Sequence, residues 1–362
     1  MKKLFSFLFI MVFFFPGAAL GRLKNWNNPW KTRIEKWISE VTSVDSPYFI
    51  PASGRIAAVD MDGTLITERP DYFHGFVSKL NLMDTLAKKS ELESNPIFKA
   101  IKTSDQKWIR ANLQKWLLES FAGEDLRKVH KYSLNVFEHV KIPGTDRLYR
   151  DLLYLPIVEL IELLKEHDFK VYIVTTAQQE IVRPVLSKYL KIPMDWIIGS
   201  MVGFSVADDM SGFIREKKLW KPVSHGKGKV LRFRERTGAV PVLGIGNSPN
   251  DIPLLLYTGK STYHSLSIVI DHDDPREYIY SRKEMDIYAE KNNWMRVSMK
   301  NGFREIYGNL DFVKWPAQRK NPESGNSQNT VTAPMWFKIS FIFLLFTIFI
   351  LELQRYRKQR KK

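Results

Sequence analysis

The sequence predicts an α/β protein with a doubly wound parallel sheet and a helical cap inserted after the first core strand. Short apolar runs rich in β-branched residues recur along the chain, and segments with helical spacing separate them. Residues 68–150, which follow the first apolar run, contain helical patterns only. Alternating strands and helices form a parallel sheet covered on both faces, and the long helical stretch predicts a cap between two core strands.

Five apolar runs define the expected core strands, and helical spacing defines the elements around them. The strands are expected at residues 56–59, 170–174, 196–199, 241–246 and 267–270. Helices are expected at residues 26–41, 155–167, 178–189 and 228–237 in the core, and at residues 73–89, 96–101, 107–121 and 124–140 in the cap. Residues 204–219 predict a hairpin or flap with its turn at residues 208–212.

The first core strand runs directly into two carboxylates, Asp60 and Asp62, which are followed by a Gly63-Thr64 turn. Open α/β sheets place their ligands at the carboxyl ends of the strands. Neighbouring carboxylates repel each other, so a fold keeps such a pair where a cation neutralises it, or where one carboxylate attacks while the other moves a proton. An ordinary acidic turn is the alternative interpretation.

Two further junctions carry groups that suit a phosphate. Thr175 follows the second core strand, where its hydroxyl and the free N–H groups of the next helix would hold a phosphate oxygen. Lys227 and Lys229 accompany two glycines at a helix start, a position that disfavours cations unless an anion is bound. A helix cap at Thr175 and solvated surface lysines are the alternative interpretations.

A fourth junction follows the strand that ends at Gly246. Asn247 and Asp251 place amide and carboxylate oxygens at the same edge of the sheet, although an ordinary Asn/Pro turn would have the same composition. Together, and in this order along the chain, the four junctions resemble the four motifs of the haloacid dehalogenase superfamily of phosphohydrolases. Landmarks across residues 23–307 make the chain similar to an exported, phosphoserine-phosphatase-like subgroup of that superfamily.

The resemblance implies a role for each catalytic candidate. Asp60 would be the nucleophile that forms an aspartyl-phosphate, and Asp62 would protonate the leaving alkoxide and then activate water. Thr175 and one lysine would hold the phosphoryl oxygens. The spacing to the apolar residues of the helix resembles that of phosphoserine phosphatases when Lys227 is that lysine. Counting back from Gly246 against the subgroup favours Lys229, so both remain candidates.

The resemblance also implies a Mg²⁺ cofactor. Its expected ligands are Asp60, the backbone carbonyl of Asp62, Asn247 and Asp251, and these oxygen ligands are the type that Mg²⁺ prefers. The superfamily often has an aspartate where Asn247 stands. The turn after Thr175 is bulkier than the subgroup's usual one, which could narrow the phosphate pocket.

The cap is expected to select the substrate. Glu68, which lies shortly after the first motif, and Arg183, in the helix after the second, are the weaker candidates for contacting it. The expected substrate is a small phosphorylated metabolite. We expect a Mg²⁺-dependent phosphomonoester hydrolase, with a catalytically weak phospholigand-binding or envelope interaction protein as the alternative.

The ends of the chain carry targeting patterns. Residues 1–21 have the basic, apolar and small-residue pattern of a signal peptide, for which an uncleaved N-terminal anchor is the alternative. Residues 314–334 have a linker composition, residues 335–353 are apolar enough for a transmembrane helix, and residues 354–362 form a basic tail predicted to be cytoplasmic. We therefore expect an extracytoplasmic domain, residues 22–313, anchored in the cell membrane.

Composition narrows the possible functions. The chain has no cysteine among its 362 residues, which excludes disulfides and thiol catalysis. Its net charge of +16 comes partly from the basic tail, and the remainder is spread over the domain without a nucleic-acid-binding motif. Nucleic acid is therefore not an expected partner.

Overall fold

The computed structural model describes residues 23–308. The predicted signal peptide (residues 1–21), linker (314–334), transmembrane helix (335–353) and basic tail (354–362) lie outside the described residues. Within residues 23–308, none of the helices has the length and apolar character needed to cross a membrane.

The described residues form eight strands. They are β1 (Ile56–Val59), β2 (Lys170–Gln178), β3 (Ile197–Ser200), β4 (Val202–Val206), β5 (Phe213–Leu219), β6 (Leu243–Gly246), β7 (Leu266–Asp271) and β8 (Met295–Ser298). Six of them make one sheet in the order β3-β2-β1-β6-β7-β8, and all five pairings are parallel. This is the doubly wound order, in which the chain reverses direction across the sheet between β1 and β6. The predicted fold class is confirmed.

Twelve α-helices accompany the strands in residues 23–308. They are α1 (Trp30–Thr42), α2 (Phe73–Lys88), α3 (Pro96–Lys102), α4 (Gln106–Ala111), α5 (Leu113–Glu119), α6 (Leu126–His139), α7 (Leu155–Glu166), α8 (Gln179–Leu190), α9 (Lys227–Thr237), α10 (Ile252–Thr258), α11 (Lys283–Lys291) and α12 (Met299–Gly302). Helices α2–α6 form the cap between β1 and β2. A cluster of buried apolar side chains, including Phe98 and Trp116, gives the cap a core of its own.

The sheet is buried because alternate residues of its strands face different helices. Ile56 and Ala58 of β1 lie beside Lys170 and Tyr172 of β2 in the parallel register. Ile56, Ala58 and Tyr172 pack with Phe233 of α9 and other apolar side chains. The intervening residues of β1 are also buried, so both faces of the strand are covered. This explains why β1 is a continuous apolar run and not an alternating one.

Several elements differ from the sequence prediction, and helices α10, α11 and α12 were not predicted. The predicted cap helix 107–121 is two helices, α4 and α5, which separate at Asn112, where the backbone leaves helical geometry. Strand β2 continues to Gln178 instead of ending at residue 174, with an irregularity against β3 between Val174 and Gln178. Strand β8 was not predicted, because four residues with one exposed arginine give too short a pattern. The predicted hairpin is confirmed as the antiparallel pair β4–β5.

Candidate active site

The site lies at the carboxyl edge of the sheet, at the switch point between β1 and β6. Asp60 directly follows β1 and Asn247 directly follows β6, and these strands are neighbours in the sheet. The backbone N–H of Asp60 donates to the carbonyl of Ile245, 2.9 Å away, which joins the two strand ends. The switch point therefore brings together two of the junctions that the sequence singled out.

Lys229 is the centre of a buried cluster of charges. Its Nζ donates to Oδ1 of Asp60 at 2.5 Å and to Oδ1 of Asp251 at 2.6 Å, and all three side chains are shielded from solvent. Helix α9 reaches this position because Gly228 has no side chain. A Cβ there would meet the carbonyl oxygen of Val223 at 1.8 Å.

The structure distinguishes the two lysine candidates. Lys229 is 1% exposed and contacts Asp60, whereas Lys227, the first residue of α9, has an exposed side chain. Residues two positions apart on a helix point in different directions, so only one of them faces the cluster. The prediction of Lys227 as the phosphate lysine is not supported by its position.

The cluster contains more acidic than basic side chains. Burial, followed by the nearby Asp251, raises the pKa of Asp60 well above its ordinary value, although Lys229 opposes the shift. Burial and then the charge of Glu68 raise the pKa of Asp62 to about 7. Burial alone would lower the pKa of Lys229, but Asp251 and Asp60 raise it instead. One ammonium group thus faces several carboxylates that resist ionisation together, and an additional cation would relieve their repulsion.

Thr175 reaches the cluster from β2. Its hydroxyl donates to Oδ2 of Asp62 at 3.2 Å and accepts from the backbone N–H of Ala177 at 3.0 Å. The irregularity in β2 begins here, and Ser200 of β3 donates to the carbonyl of Thr176 at 2.7 Å. Thr175 is therefore part of the bulged end of a strand, a position that re-aims a side chain, and not the first residue after it. Oδ1 of Asp62 is buried without a hydrogen bond.

Oxygen atoms from three residues lie close together at the switch point; the residues are Asn247, Asp60 and Asp62. The inner end of the Asn247 amide lies 3.1 Å from the backbone oxygen of Asp62, 3.3 Å from Oδ2 of Asp60 and 3.1 Å from the Thr64 hydroxyl. When that inner atom is the amide oxygen, it faces two acceptors. Neighbouring ligands in an octahedral Mg²⁺ site are about 3 Å apart, so this group fits a hard divalent cation.

The candidate metal site combines different kinds of oxygen ligand. Within residues 23–308, no group of three or more His, Cys, Asp and Glu side chains is arranged to hold a metal ion. The oxygen group at the switch point combines one carboxylate, one amide and one backbone carbonyl, and the unpaired Oδ1 of Asp62 lies beside it. These residues can hold Mg²⁺ with little protein charge, which is usual for this ion.

Asp251 lies inside the loop after β6, where it contacts both the loop backbone and Lys229. Its Oδ2 accepts from the backbone N–H groups of Asn247 and Ser248 at 3.1 and 3.0 Å and from the Ser248 hydroxyl at 3.1 Å, while Oδ1 accepts from Lys229. Gly246 makes room for it, because a Cβ there would meet the Asp251 side chain at 2.5 Å. Asp251 therefore shapes the loop and holds Lys229, and its role as a metal ligand stays a prediction.

Of the two weaker candidates, only Glu68 lies at the site. Glu68 is buried, and its Oε1 lies 3.7 Å from both Nε of Arg69 and Nη2 of Arg282. Arg183 instead donates to Oε1 of Glu180 at 2.8 Å and to the carbonyl of Ile197 at 3.2 Å, on the flank of the sheet. Its position does not support the predicted contact with substrate.

Sequence reasoning assigned no role at the site to a fifth loop, residues 272–282, although some of its residues are among the landmarks of the family resemblance. This loop follows β7 at the same edge of the sheet. His272 approaches the carbonyl of Gly63 to 2.6 Å, and the Tyr280 hydroxyl lies 2.8 Å from the outer end of the Asn247 amide. Glu277 accepts from Thr67 at 3.0 Å and Tyr154 at 3.1 Å. The signal in the sequence was a dense run of charged and aromatic residues directly after a core strand.

We expect Glu277→Gln to flatten the pH dependence of stability. Burial raises the pKa of Glu277 to about 8, so the folded protein keeps this carboxyl protonated where the unfolded chain ionises it. Ionisation between these two pKa values therefore favours the unfolded chain. The contribution of Glu277 to the free energy of unfolding is greatest below about pH 4.5 and is lost as pH rises towards 8. Above pH 8 the variant should exceed the wild-type free energy of unfolding by about 1–4 kcal/mol, measured by urea denaturation. A variant with the wild-type pH dependence would contradict this assignment.

The model of the haloacid dehalogenase-like hydrolase family matches residues 57–256. A structure of a conserved functionally unknown protein from Anaerococcus prevotii is 14% identical, covering 76% of this chain and 92% of its own, with a TM-score of 0.51. At this identity the likeness shows a shared fold.

Two other solved structures are less similar. A protein of unknown function from Bordetella pertussis has 14% identity and a TM-score of 0.47, with 67% of this chain and 97% of its own covered. A phosphoserine phosphohydrolase-like protein from Francisella tularensis has 20% identity and a TM-score of 0.38, with 64% and 92% covered. A comparison with curated protein sequences found no match. Since the family model spans more than half of the 362 residues and includes the four junctions at the switch point, the chain belongs to the haloacid dehalogenase-like hydrolase family.

Proposed function

We propose that the protein is a phosphomonoester hydrolase that acts through an aspartyl-phosphate on Asp60. The observation that carries the proposal is the contact of Lys229 with Asp60 at the end of β1, with Thr175 and Asp62 beside them. This arrangement offers a carboxylate that can attack, a second carboxyl that can move a proton, and two donors for phosphoryl oxygens. Family membership fits this proposal, because it makes the chain a hydrolase.

The first step transfers the phosphoryl group to the protein. A carboxylate oxygen of Asp60 attacks phosphorus while the bond from phosphorus to the substrate's ester oxygen breaks. Asp62 gives its proton to the departing alkoxide. A pKa of about 7 leaves Asp62 substantially protonated near neutral pH, which suits a general acid. Lys229 and Thr175 hold phosphoryl oxygens and stabilise the charge that builds up on them.

The second step hydrolyses the aspartyl-phosphate. Asp62, now ionised, accepts a proton from a water molecule, and the water oxygen bonds to phosphorus as the bond to Asp60 breaks. Inorganic phosphate leaves, and Asp62 is protonated again. The same carboxyl therefore acts first as an acid and then as a base, so a pKa near the working pH serves both steps.

Mg²⁺ is the proposed cofactor, held by Asp60, the backbone carbonyl of Asp62 and Asn247. When bound, it would neutralise negative charge shared by Asp60 and the phosphoryl group, which otherwise repel each other. The oxygen group around Asn247 supports this choice.

The substrate and location are also proposals. We propose a small phosphorylated metabolite, because the cap and Glu68 stand beside a buried site. We propose a member of the phosphoserine-phosphatase-like subgroup on the basis of the landmarks across residues 23–307. Its export and its anchoring by residues 335–353 are proposed from the terminal sequence patterns alone.

A panel of phosphate monoesters tests the function. We expect the purified chain to release inorganic phosphate in the presence of Mg²⁺, and we expect EDTA to abolish the release and added Mg²⁺ to restore it. The readout is phosphate produced per enzyme per unit time. Binding of phosphorylated compounds without hydrolysis across the panel would contradict the proposal and favour a phospholigand-binding protein.

A further inference from the structure

The loop after β7 holds a stack of two rings behind the proposed metal site. The rings of His272 and Tyr280 lie with centroids 4.4 Å apart and planes 16° from parallel, and the backbone N–H of Tyr280 donates to the carbonyl of His272 at 3.0 Å. The Arg282 guanidinium carbon lies 4.4 Å from the centre of the Tyr280 ring. These contacts fix the direction of the Tyr280 hydroxyl without using the hydroxyl itself.

Each ring reaches one of the loops that carry metal-ligand candidates. His272 Nε2 lies 2.6 Å from the carbonyl oxygen of Gly63, directly after Asp62, and donates to it as the neutral ring that burial favours. The Tyr280 hydroxyl contacts the Asn247 amide at 2.8 Å. Gly63 and the Asn247 side chain are also in close contact. A Cβ atom added to Gly63 would lie only 2.2 Å from the Asn247 side chain. The stack therefore braces the β1 and β6 loops against each other.

The surroundings of the Asn247 amide would accommodate either of two orientations, each with its own hydrogen bonds. With its nitrogen outward, the amide donates to the Tyr280 hydroxyl and turns its oxygen towards the oxygens of Asp60 and Asp62. With its nitrogen inward, it donates to those oxygens and accepts from Tyr280. A tyrosine hydroxyl can either accept or donate, so Tyr280 can pair with the amide in both orientations, and the same hydroxyl also interacts with Glu68.

We propose that Tyr280 is a positioning residue that holds the Asn247 amide in place while the amide reverses on cation binding. Without the cation, the inward nitrogen relieves the contact between oxygens. With the cation, the inward oxygen becomes a ligand and the nitrogen donates to Tyr280. The inference rests on the proposed function, because it takes Asn247 as a metal ligand.

Tyr280→Phe isolates the hydroxyl, because it keeps the ring and its stacking. The matched control is Tyr263→Phe, which removes a hydroxyl from an exposed tyrosine near Gly54. Calorimetric titration of the full chain with Mg²⁺ should give a Kd for Tyr280→Phe about three- to tenfold above wild type, the effect of one lost hydrogen bond. Tyr263→Phe should match wild type. An unchanged Kd in Tyr280→Phe would overturn the role of the hydroxyl.

A second measurement tests the reversal in the wild-type protein. With ¹⁵N-labelled asparagine, the side-chain NH₂ signal of Asn247, assigned by its loss in Asn247→Asp, should shift on Mg²⁺ addition. The NH₂ signals of Asn293 and Asn301 should not. An unmoved Asn247 signal at saturating Mg²⁺ would overturn the reversal even if Tyr280→Phe failed to fold. A wild-type chain that binds Mg²⁺ but hydrolyses no phosphate ester would overturn the proposed function and leave this inference standing.

Discussion

Asp60→Asn should abolish hydrolysis, with kcat reduced by at least about 10³-fold. The amide has nearly the shape of the carboxylate but is a poor nucleophile, so the aspartyl-phosphate cannot form. The buried contact with Lys229 Nζ, 2.5 Å in the wild type, keeps an oxygen acceptor in the variant. Steady-state release of phosphate measures the effect, and thermal unfolding verifies that the variant folds.

Asp209→Asn is the matched control for this substitution. Asp209 is exposed in the turn of the β4–β5 hairpin, where its Oδ1 accepts from the backbone N–H of Ser211 at 2.9 Å. It should retain wild-type turnover. Turnover in Asp60→Asn within a few-fold of the control would show that Asp60 is not the nucleophile.

Lys229→Met should abolish hydrolysis and lower the free energy of unfolding. The substitution leaves Asp60 and Asp251 buried without their cation, and breaking a buried ion pair in this way costs about 3–5 kcal/mol. The raised pKa of Asp60 determines how this loss of stability depends on pH, because a buried carboxyl group that takes up a proton no longer carries an unpaired charge. The loss of stability should therefore be smaller at pH 5 than at pH 8. Denaturation in Mg²⁺-free buffer at both values measures it.

Lys227→Met is the internal control, two residues away on the same helix. Lys227 is exposed, so its replacement should change the free energy of unfolding by no more than about 0.5 kcal/mol and leave hydrolysis intact. If Lys227→Met lost activity and Lys229→Met kept it, the assignment of the phosphate lysine would be reversed.

The sheet could be predicted because its interior strands are short apolar runs that both faces bury. Ile56–Val59 is one such run, and its end at Asp60 is visible as an abrupt change from apolar to charged residues. Strand β8 escaped because an edge strand of four residues has only two buried side chains. The prediction of strands was therefore limited by how many residues each pattern contains and not by the kind of pattern.

The site could be predicted as a set of strand-end loops but not as a set of contacts. Sequence spacing could not choose between Lys227 and Lys229, because the choice depends on how close Gly228 lets α9 approach the carbonyl of Val223. Nor could spacing show that Asp251 caps its own loop, which leaves Asn247 to face Asp60. These outcomes depend on three-dimensional packing between segments far apart in sequence.

The loop after β7 illustrates the same limit. His272 and Tyr280 contact Gly63 and Asn247, more than 30 residues away in each case, and neither residue resembles a ligand or catalyst in sequence. Their role depends on the strand order, which places β7 beside β6 and brings this loop to the switch point.

In the proposed mechanism the phosphoryl group passes through Asp60. The most direct test mixes the wild-type chain with excess phosphate ester and Mg²⁺, quenches it with acid during turnover, and maps the peptides by mass spectrometry. We expect one phosphoryl group on the peptide containing Asp60, absent in Asp60→Asn and unchanged in Asp209→Asn. A wild-type protein that turns over substrate while the Asp60 peptide stays unmodified and a different residue carries the phosphoryl group would contradict the proposed mechanism.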